Sequence, residues 1–350
     1  MTILIYGAAG YTGALVARYA RDAGVRPVVA GRDGAAVRAV AAELGLPARV
    51  FALDALDAGL DGITTVLNTA GSFGTTGPPL LDACLARGVH YVDLAGEVPA
   101  VEAVARRHDA ALVAGVMMLP GAGFGVVATD IAAARAAAAV DGAVELEIAF
   151  RTVGGVSRGT AAGLLPTLHH AGVTRIDGRL VPATPGSRSL SVDFGDGRPR
   201  TVVLNPWRAD LVTAAYSTGA RTVTTYQDLP APLRLLMRPA PRLVGALDSS
   251  LWQGLLRRTV RLLPPGPSRR GLASGHVEVW ARARDGAGAR AEVRLRGPEA
   301  YAFTARSAVA VLHRIEGGDA PTGFRTPVTA YGTALASDIE GVEIDGRPTR

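Results

Sequence analysis

Gly7, Gly10 and Gly13 stand three residues apart, directly after the apolar run Met1–Tyr6. Glycines at this spacing let backbone N–H groups come close to a phosphate. In Gly7-Ala8-Ala9-Gly10-Tyr11-Thr12-Gly13, Gly7 permits a tight turn and Gly10 gives a pyrophosphate access to the backbone. Gly13 lets the following helix pack closely on the strand, and the pyrophosphate sits at that helix's N-terminus. A second set of reactive side chains lies in His90-Tyr91-Val92-Asp93 and at Glu97. On a strand, alternation turns Tyr91 and Asp93 to one side. There Tyr91 can donate a proton, with Asp93 or Glu97 orienting it or relaying the proton. Asp93 and Glu97 also suit the alternative of capping a helix that starts near Pro99, and His90 suits packing.

These residues need a frame, and the periodicity supplies one. A strand over Met1–Tyr6, a helix over Ala14–Ala23 and a second strand over Pro27–Ala30 form one strand–turn–helix–strand unit of about 30 residues. The second strand ends Val28-Val29-Ala30-Gly31-Arg32 without a carboxylate. An acid there would hold a ribose 2′-hydroxyl, whereas an arginine accommodates a 2′-phosphate. Gly31 and Arg32 therefore predict NADP(H), with Asp33 left to cap the next helix.

The alternation continues with a helix over Ala35–Leu44, strands over Arg49–Leu53 and Thr64–Asn68, and a helix over Pro79–Arg87. A strand over His90–Asp93, a helix over Val98–Asp109 and an apolar strand over Ala111–Met118 follow. Ligands bind outside the carboxyl ends of such strands. Asp54 is thereby expected beside the adenine, and Asn68-Thr69-Ala70-Gly71-Ser72-Phe73 beside the nicotinamide ribose.

From Asp130–Val140, a helix made mostly of alanine, the pattern changes. Val144–Thr152, Val277–Ala283 and Arg290–Arg296 alternate as half-exposed strands, the last two joined through Asp285-Gly286. Phe303–Ile315 returns to helix, and Thr326–Ala336 rejoins the first domain. The expected class is α/β: a doubly wound parallel sheet over 1–125 plus 320–350. A substrate and dimerisation domain of α+β type, with a mixed or antiparallel sheet, is expected over 126–319. Within it, 229–270 is rich in Leu and Pro and carries Arg234, Arg238, Arg242, Arg257, Arg258 and Arg261. That insert reads as broken amphipathic helices packing on the domain or on a second copy; a lid, an acyl-carrier surface or a membrane face is the other reading.

Composition narrows the function. The chain has 350 residues, 48% hydrophobic and 19% charged, enough for two domains with full cores. All 37 basic residues are arginine. Without lysine, Schiff-base and pyridoxal-phosphate chemistry are excluded, as is the Tyr-x-x-x-Lys pair of short-chain dehydrogenases. The net charge of +6 comes with no aromatic-interleaved basic run, so no nucleic-acid partner is expected. Cys84 is the only cysteine and His169-His170 would point apart, so neither a disulfide nor a metal site is predicted. No signal peptide and no apolar run of about 18 residues is seen, and a cytoplasmic protein is expected. Membrane-surface contact is not favoured, and a homodimer is expected.

Taken together, the residues resemble the saccharopine dehydrogenase-like family, in the branch that includes trans-acting enoyl reductases. The resemblance rests on Gly7–Gly13, Ala30-Gly31-Arg32, Asn68–Phe73 and the segment Gly88–Glu97. Leu119-Pro120-Gly121, Gly154–Thr160 and Gly323-Phe324-Arg325-Thr326-Pro327 extend it over the chain. Two departures stand out. Ser72 replaces a usual proline, and Gly125 and Ala128 replace an acid and a proline of the family's stretch, while Asp130 is retained. The resemblance implies an NADP(H)-dependent oxidoreductase reducing an activated C=C or C=N bond of a small-molecule or acyl-carrier-bound substrate. A saccharopine-type amino-acid-forming dehydrogenase and a non-catalytic NADP-binding regulator are the alternatives. Arg158 would then hold a substrate anion and Thr160 a carbonyl, or the loop is a solvated glycine turn.

Overall fold

In the computed structural model the described residues are 1–165, 168–237, 244–245 and 247–349. They divide into two compact units, 1–131 with 301–340, and 132–300 with 341–350. Arg238 and Arg242 of the basic insert lie outside the described residues.

The first unit is built on strands β1 (Ile3–Tyr6), β2 (Val28–Gly31), β3 (Ala48–Val50), β4 (Thr65–Asn68), β5 (His90–Asp93) and β6 (Met117–Leu119). With Gly323–Phe324 they form a seven-stranded parallel sheet ordered Gly323–Phe324, β6, β5, β4, β1, β2, β3. Every residue of β1, β2 and β4 is buried, as a parallel sheet covered on both faces requires. The chain runs outward from β1 through β2 and β3, then restarts at β4 on the other side of β1. The point of reversal is where doubly wound sheets open a crevice for ligands. Tyr6 lies level with Ala30 and Asn68, and Asn68 level with Asp93. The candidate residues thus share one carboxyl edge.

Several boundaries differ from the sequence reading. The helix after β4 begins at Phe73, not Pro79, and contains Pro78 and Pro79. Proline favours helix starts, but here the Thr76 hydroxyl donates to the carbonyls of Ala70 and Ser72 and fixes an earlier turn. Ala111–Val113 is helical, and only Met117–Leu119 forms the strand. Val98–Asp109 splits into helices Val98–Ala105 and His108–Val113. No helix among the described residues is long and apolar enough to cross a membrane.

The second unit carries a mixed sheet of β7 (Ala143–Val153), β8 (Gly172–Ile176), β9 (Arg179–Ala183), β10 (Ser189–Val192), β11 (Arg200–Leu204), β12 (Thr222–Gln227), β13 (His276–Asp285) and β14 (Arg290–Pro298). The C-terminal strand Glu343–Thr349 pairs antiparallel with β14. It therefore belongs to this sheet, not to the first domain as the sequence suggested. Conversely, residues 301–316 of helix Ala300–Glu316 fall in the first unit. On β7, Leu146, Ile148 and Phe150 are buried, while the opposite face carries cross-strand ion pairs. Arg151 meets Glu278 at 2.8 Å and Arg284 meets Glu145 at 3.5 Å, the pairing that stabilises a polar sheet face.

Candidate functional site

The glycine turn is locked to its neighbours. Gly7 has φ +88°, and the N–H groups of Gly7 and Ala8 both donate to the Ala30 carbonyl, at 2.9 and 3.1 Å. A Cβ on Gly7 would lie 2.6 Å from the Ala70 nitrogen, and one on Gly13 would lie 2.4 Å from the Gly7 carbonyl oxygen. A Cβ on Gly10 would meet only the Gly7 oxygen, at 3.3 Å. Gly7 and Gly13 are demanded by packing. Gly10 instead keeps a surface open at the start of helix Tyr11–Asp22, where no side chain caps the helix and the first turn holds no acid. Helix N-terminal N–H groups without an acidic neighbour attract an anion, so the turn fits a pyrophosphate. Tyr11 packs edge-on to Tyr301, with ring centroids 5.3 Å apart.

At the end of β2, Arg32 is exposed. Asp33 accepts from the Ala36 N–H at 3.1 Å and caps the next helix, as the sequence suggested. Arg32 and the exposed Asp54 both act on Tyr6: burial raises its phenol, Arg32 opposes that rise, and Asp54 adds to it. Both charges are thus within electrostatic reach of Tyr6, the last residue of β1.

Asn68, Tyr91 and Asp93 form one buried network. Asn68 accepts from the Ala70 N–H at 3.0 Å and donates to Thr76 and to the Tyr91 hydroxyl, both at 3.2 Å. The Tyr91 hydroxyl donates to Asp93 Oδ2 at 2.9 Å. Asp93 Oδ1 accepts from the N–H groups of Ala95 and Gly121 at 2.8 and 3.0 Å. Tyr91 is 0% and Asp93 1% exposed, so the geometry makes them positioning residues that clasp the turns after β4, β5 and β6. Burial pushes Asp93 up to about 6, against the pull of the Ala95 and Gly121 N–H groups and the Tyr91 hydroxyl. Tyr91 is pushed well above its ordinary range, first by burial and then by Asp93. Asp93 does not cap the helix at Val98.

Glu97 is the exposed member of the expected set. It precedes helix Val98–Ala105 without a side-chain cap and accepts from the Gly96 N–H at 3.1 Å. His90 Nδ1 accepts from the Met117 N–H at 3.0 Å, a packing role. Thr69 donates to the Tyr6 carbonyl at 2.9 Å, and Ser72 begins helix Phe73–Arg87 without a side-chain cap. Asp130 accepts from the Val328 N–H at 3.0 Å, at the start of helix Pro327–Tyr331. Ala95 and Gly121 stand in the sequence motifs without a role of their own, and Thr76 stands in none; a Thr four residues after Ser72 is the available signal.

The region holding this turn and network matches a known family model. Residues 3–119 match the model of the saccharopine dehydrogenase NADP binding domain. A Mycobacterium tuberculosis protein, provisionally named a trans-acting enoyl reductase, is 34% identical over 186 residues, covering 48% of this chain and 44% of that protein. A trans-acting enoyl reductase of Mycobacterium ulcerans is 36% identical over 106 residues, 27% of this chain and 25% of that one. The matches thus span less than half the length of these relatives. Among solved structures, apo saccharopine dehydrogenase (L-Glu forming) of Saccharomyces cerevisiae shares the fold with a TM-score of 0.65. The sequences are 12% identical, with 99% of each chain covered.

Beyond residues 3–119, the second unit holds the remaining candidates. Arg158 donates through Nε and Nη2 to the Leu263 carbonyl, at 2.9 and 2.6 Å. Its own N–H donates to Pro265. Thr160 donates its N–H to Ser157 Oγ at 3.2 Å, the cap of helix Arg158–Leu164. His169 and His170 do not point apart. Both Nε2 atoms reach Asp248 Oδ1, at 3.0 and 2.9 Å, and the rings meet edge-on. The segment is neither helix nor strand, so the divergence expected of regular structure does not apply.

Proposed function

We propose that the protein is an NADP(H)-dependent reductase of an activated C=C bond, acting on an enoyl group of a small-molecule or acyl-carrier-bound substrate. The similarity to trans-acting enoyl reductases, joined to an NADP binding domain, carries this reading. Bound NADPH would supply the hydride; the protein supplies binding, orientation and a route for the proton. In this reading the Gly7–Gly13 turn holds the pyrophosphate and Arg32 the 2′-phosphate. Asn68, Tyr91 and Asp93 fix the turns that frame the nicotinamide, and Glu97 is the carboxyl group accessible for holding or relaying a proton. A saccharopine-type reaction needs several cations for a multiply charged substrate, and Arg158 is committed to the Leu263 carbonyl.

The test is NADPH oxidation by the full chain with an enoyl thioester, a cyclic imine, or a 2-oxo acid plus an amine. Consumption with the enoyl thioester alone is expected. Turnover of the imine or the oxo acid, with none of the thioester, overturns the C=C assignment. Tight NADPH binding without turnover of any of them points to the non-catalytic alternative.

A further inference from the structure

Between Ser249 and Val277 the chain has five arginines and no acid. Ser250–Leu262 forms a helix whose first N–H groups are capped by Ser249, which accepts from Trp252. Val260 is buried, and Gln253 and Leu256 are half-buried, so the inward face is complete without the other apolar residues. Leu251, Leu255, Arg258 and Leu262 follow at spacings of four, three and four, which places them on one face. That face looks out: Leu251 is 85%, Leu255 57% and Leu262 86% exposed. Trp252, 40% exposed, borders the stripe on one side, and Arg257 and Arg261 border it on the other. Helix Ala231–Met237 repeats the combination, with Leu235 75% exposed next to Arg234.

The helix is held at both ends. Asp248, just before its cap, is gripped by His169 and His170. At the other end the Arg158 guanidinium binds the Leu263 carbonyl, a cation at a helix C-terminus. The leucines are therefore presented by anchored backbone.

We propose that helix Ser250–Leu262 lies flat on an anionic lipid surface. Leu251, Leu255, Leu262 and Trp252 enter the acyl boundary, Arg257 and Arg261 meet the headgroup phosphates, and Arg258, within the stripe, extends its long side chain up to the same phosphates. An apolar ridge with Trp at its margin and cations beside it is the signature of an interfacial helix. A second copy would set these arginines against their like. A protein partner would need a groove shaped to a convex leucine ridge, whereas a bilayer accepts any such ridge.

The experiment is flotation of the full chain with vesicles of phosphatidylcholine alone or mixed with phosphatidylglycerol. Binding to the anionic vesicles only is expected, weakening as salt is raised. The double variant Leu251→Asp/Leu255→Asp and the triple variant Arg257→Gln/Arg258→Gln/Arg261→Gln should each lower partitioning by at least about tenfold. Because these side chains are exposed, the thermal midpoint and NADPH affinity should stay as in the wild type, and circular dichroism checks the fold. Absence of wild-type binding to anionic vesicles overturns the proposal. So does a result in which the arginine variant loses binding and the leucine variant keeps it, because charge alone would then explain attachment. If the leucine variant instead dissolves a dimer in sedimentation while vesicles go unbound, the face belongs to a second copy and the proposal fails.

Discussion

The Tyr91 hydroxyl donates to Asp93 Oδ2 at 2.9 Å, between residues two apart on the same strand. Alternation gives them one side, and burial seals that side from solvent. The hydroxyl also accepts from Asn68 on the neighbouring strand. One hydrogen-bonded chain therefore joins β4 to β5, and through Gly121 to the turn after β6.

The charge state of this network has a stability signature. Asp93 titrates near 6 in the fold against an ordinary 3.8, so folding favours its protonated form. Between about pH 4 and 6 the native state holds the extra proton. The stabilisation is complete below the unfolded value and is lost as pH rises through the folded one. A shift of about two pH units corresponds to about 3 kcal/mol. Urea unfolding across that window should lose stability with rising pH in the wild type, and Asp93→Asn should flatten the slope. Parallel slopes in the two proteins would contradict the buried, raised carboxyl.

Tyr91→Phe should cost about 1–3 kcal/mol, because Asp93 loses a buried donor and Asn68 an acceptor. Since Tyr91 is positioned away from solvent, any fall in turnover should come with weaker NADPH binding as the turns loosen. A variant that loses turnover at unchanged stability and unchanged NADPH affinity would restore Tyr91 as a direct proton donor.

The glycines separate folding from binding. Gly13→Ala places a methyl group 2.4 Å from the Gly7 carbonyl oxygen, so the turn must shift, and destabilisation of about 1–3 kcal/mol is expected. Gly10→Ala meets only one atom, at 3.3 Å, and should fold nearly as well while binding NADPH at least about tenfold more weakly. Calorimetric titration with NADPH, set beside thermal unfolding, checks both. Wild-type affinity in Gly10→Ala would remove the pyrophosphate from this turn.

What the sequence made legible follows from locality. Strand β1 could be read because it is a continuous apolar run, β4 and β5 because short stretches with Val, Leu, Thr or Tyr stand between turns, and Asp33 because capping reaches only three residues. The strands within 172–227 are not legible in the pattern: each is four to six residues long, and Gly, Pro or Asp interrupts the stretches between them. The Asp177-Gly178 pair, both at positive φ, was a turn signal between β8 and β9. Alternation could put Asp93 on a face, but it could not tell that Ala95 and Gly121 would occupy its oxygens. Arg158 was the hardest case, since its partner Leu263 is 105 residues away.

That distant contact is testable. If Arg158 anchors the end of helix Ser250–Leu262, Arg158→Ala should make trypsin cut at Arg257, Arg258 and Arg261 severalfold faster, with or without substrate. If it serves only to hold a substrate anion, cleavage should stay at the wild-type rate and only the Michaelis constant should rise.

In the proposed reading, Arg32 decides the choice of cofactor. It follows β2 directly, no carboxylate precedes it in the strand, and Asp33 is turned away to cap the next helix. A guanidinium forks onto phosphate oxygens, and charge-assisted bonds of this kind are worth about 1.5–3 kcal/mol. That range corresponds to a preference of about tenfold or more. NADPH should therefore bind at least about tenfold more tightly than NADH. Arg32→Asp should erase or invert the ratio, because a carboxylate repels the 2′-phosphate and accepts from the free 2′-hydroxyl of NADH. The cap at Asp33 and the buried residues of β2 are untouched by this change, so thermal unfolding should match the wild type. Fluorescence titrations of both cofactors against both proteins give the four constants needed, and equal affinities in the wild type would show that the 2′-phosphate is held elsewhere.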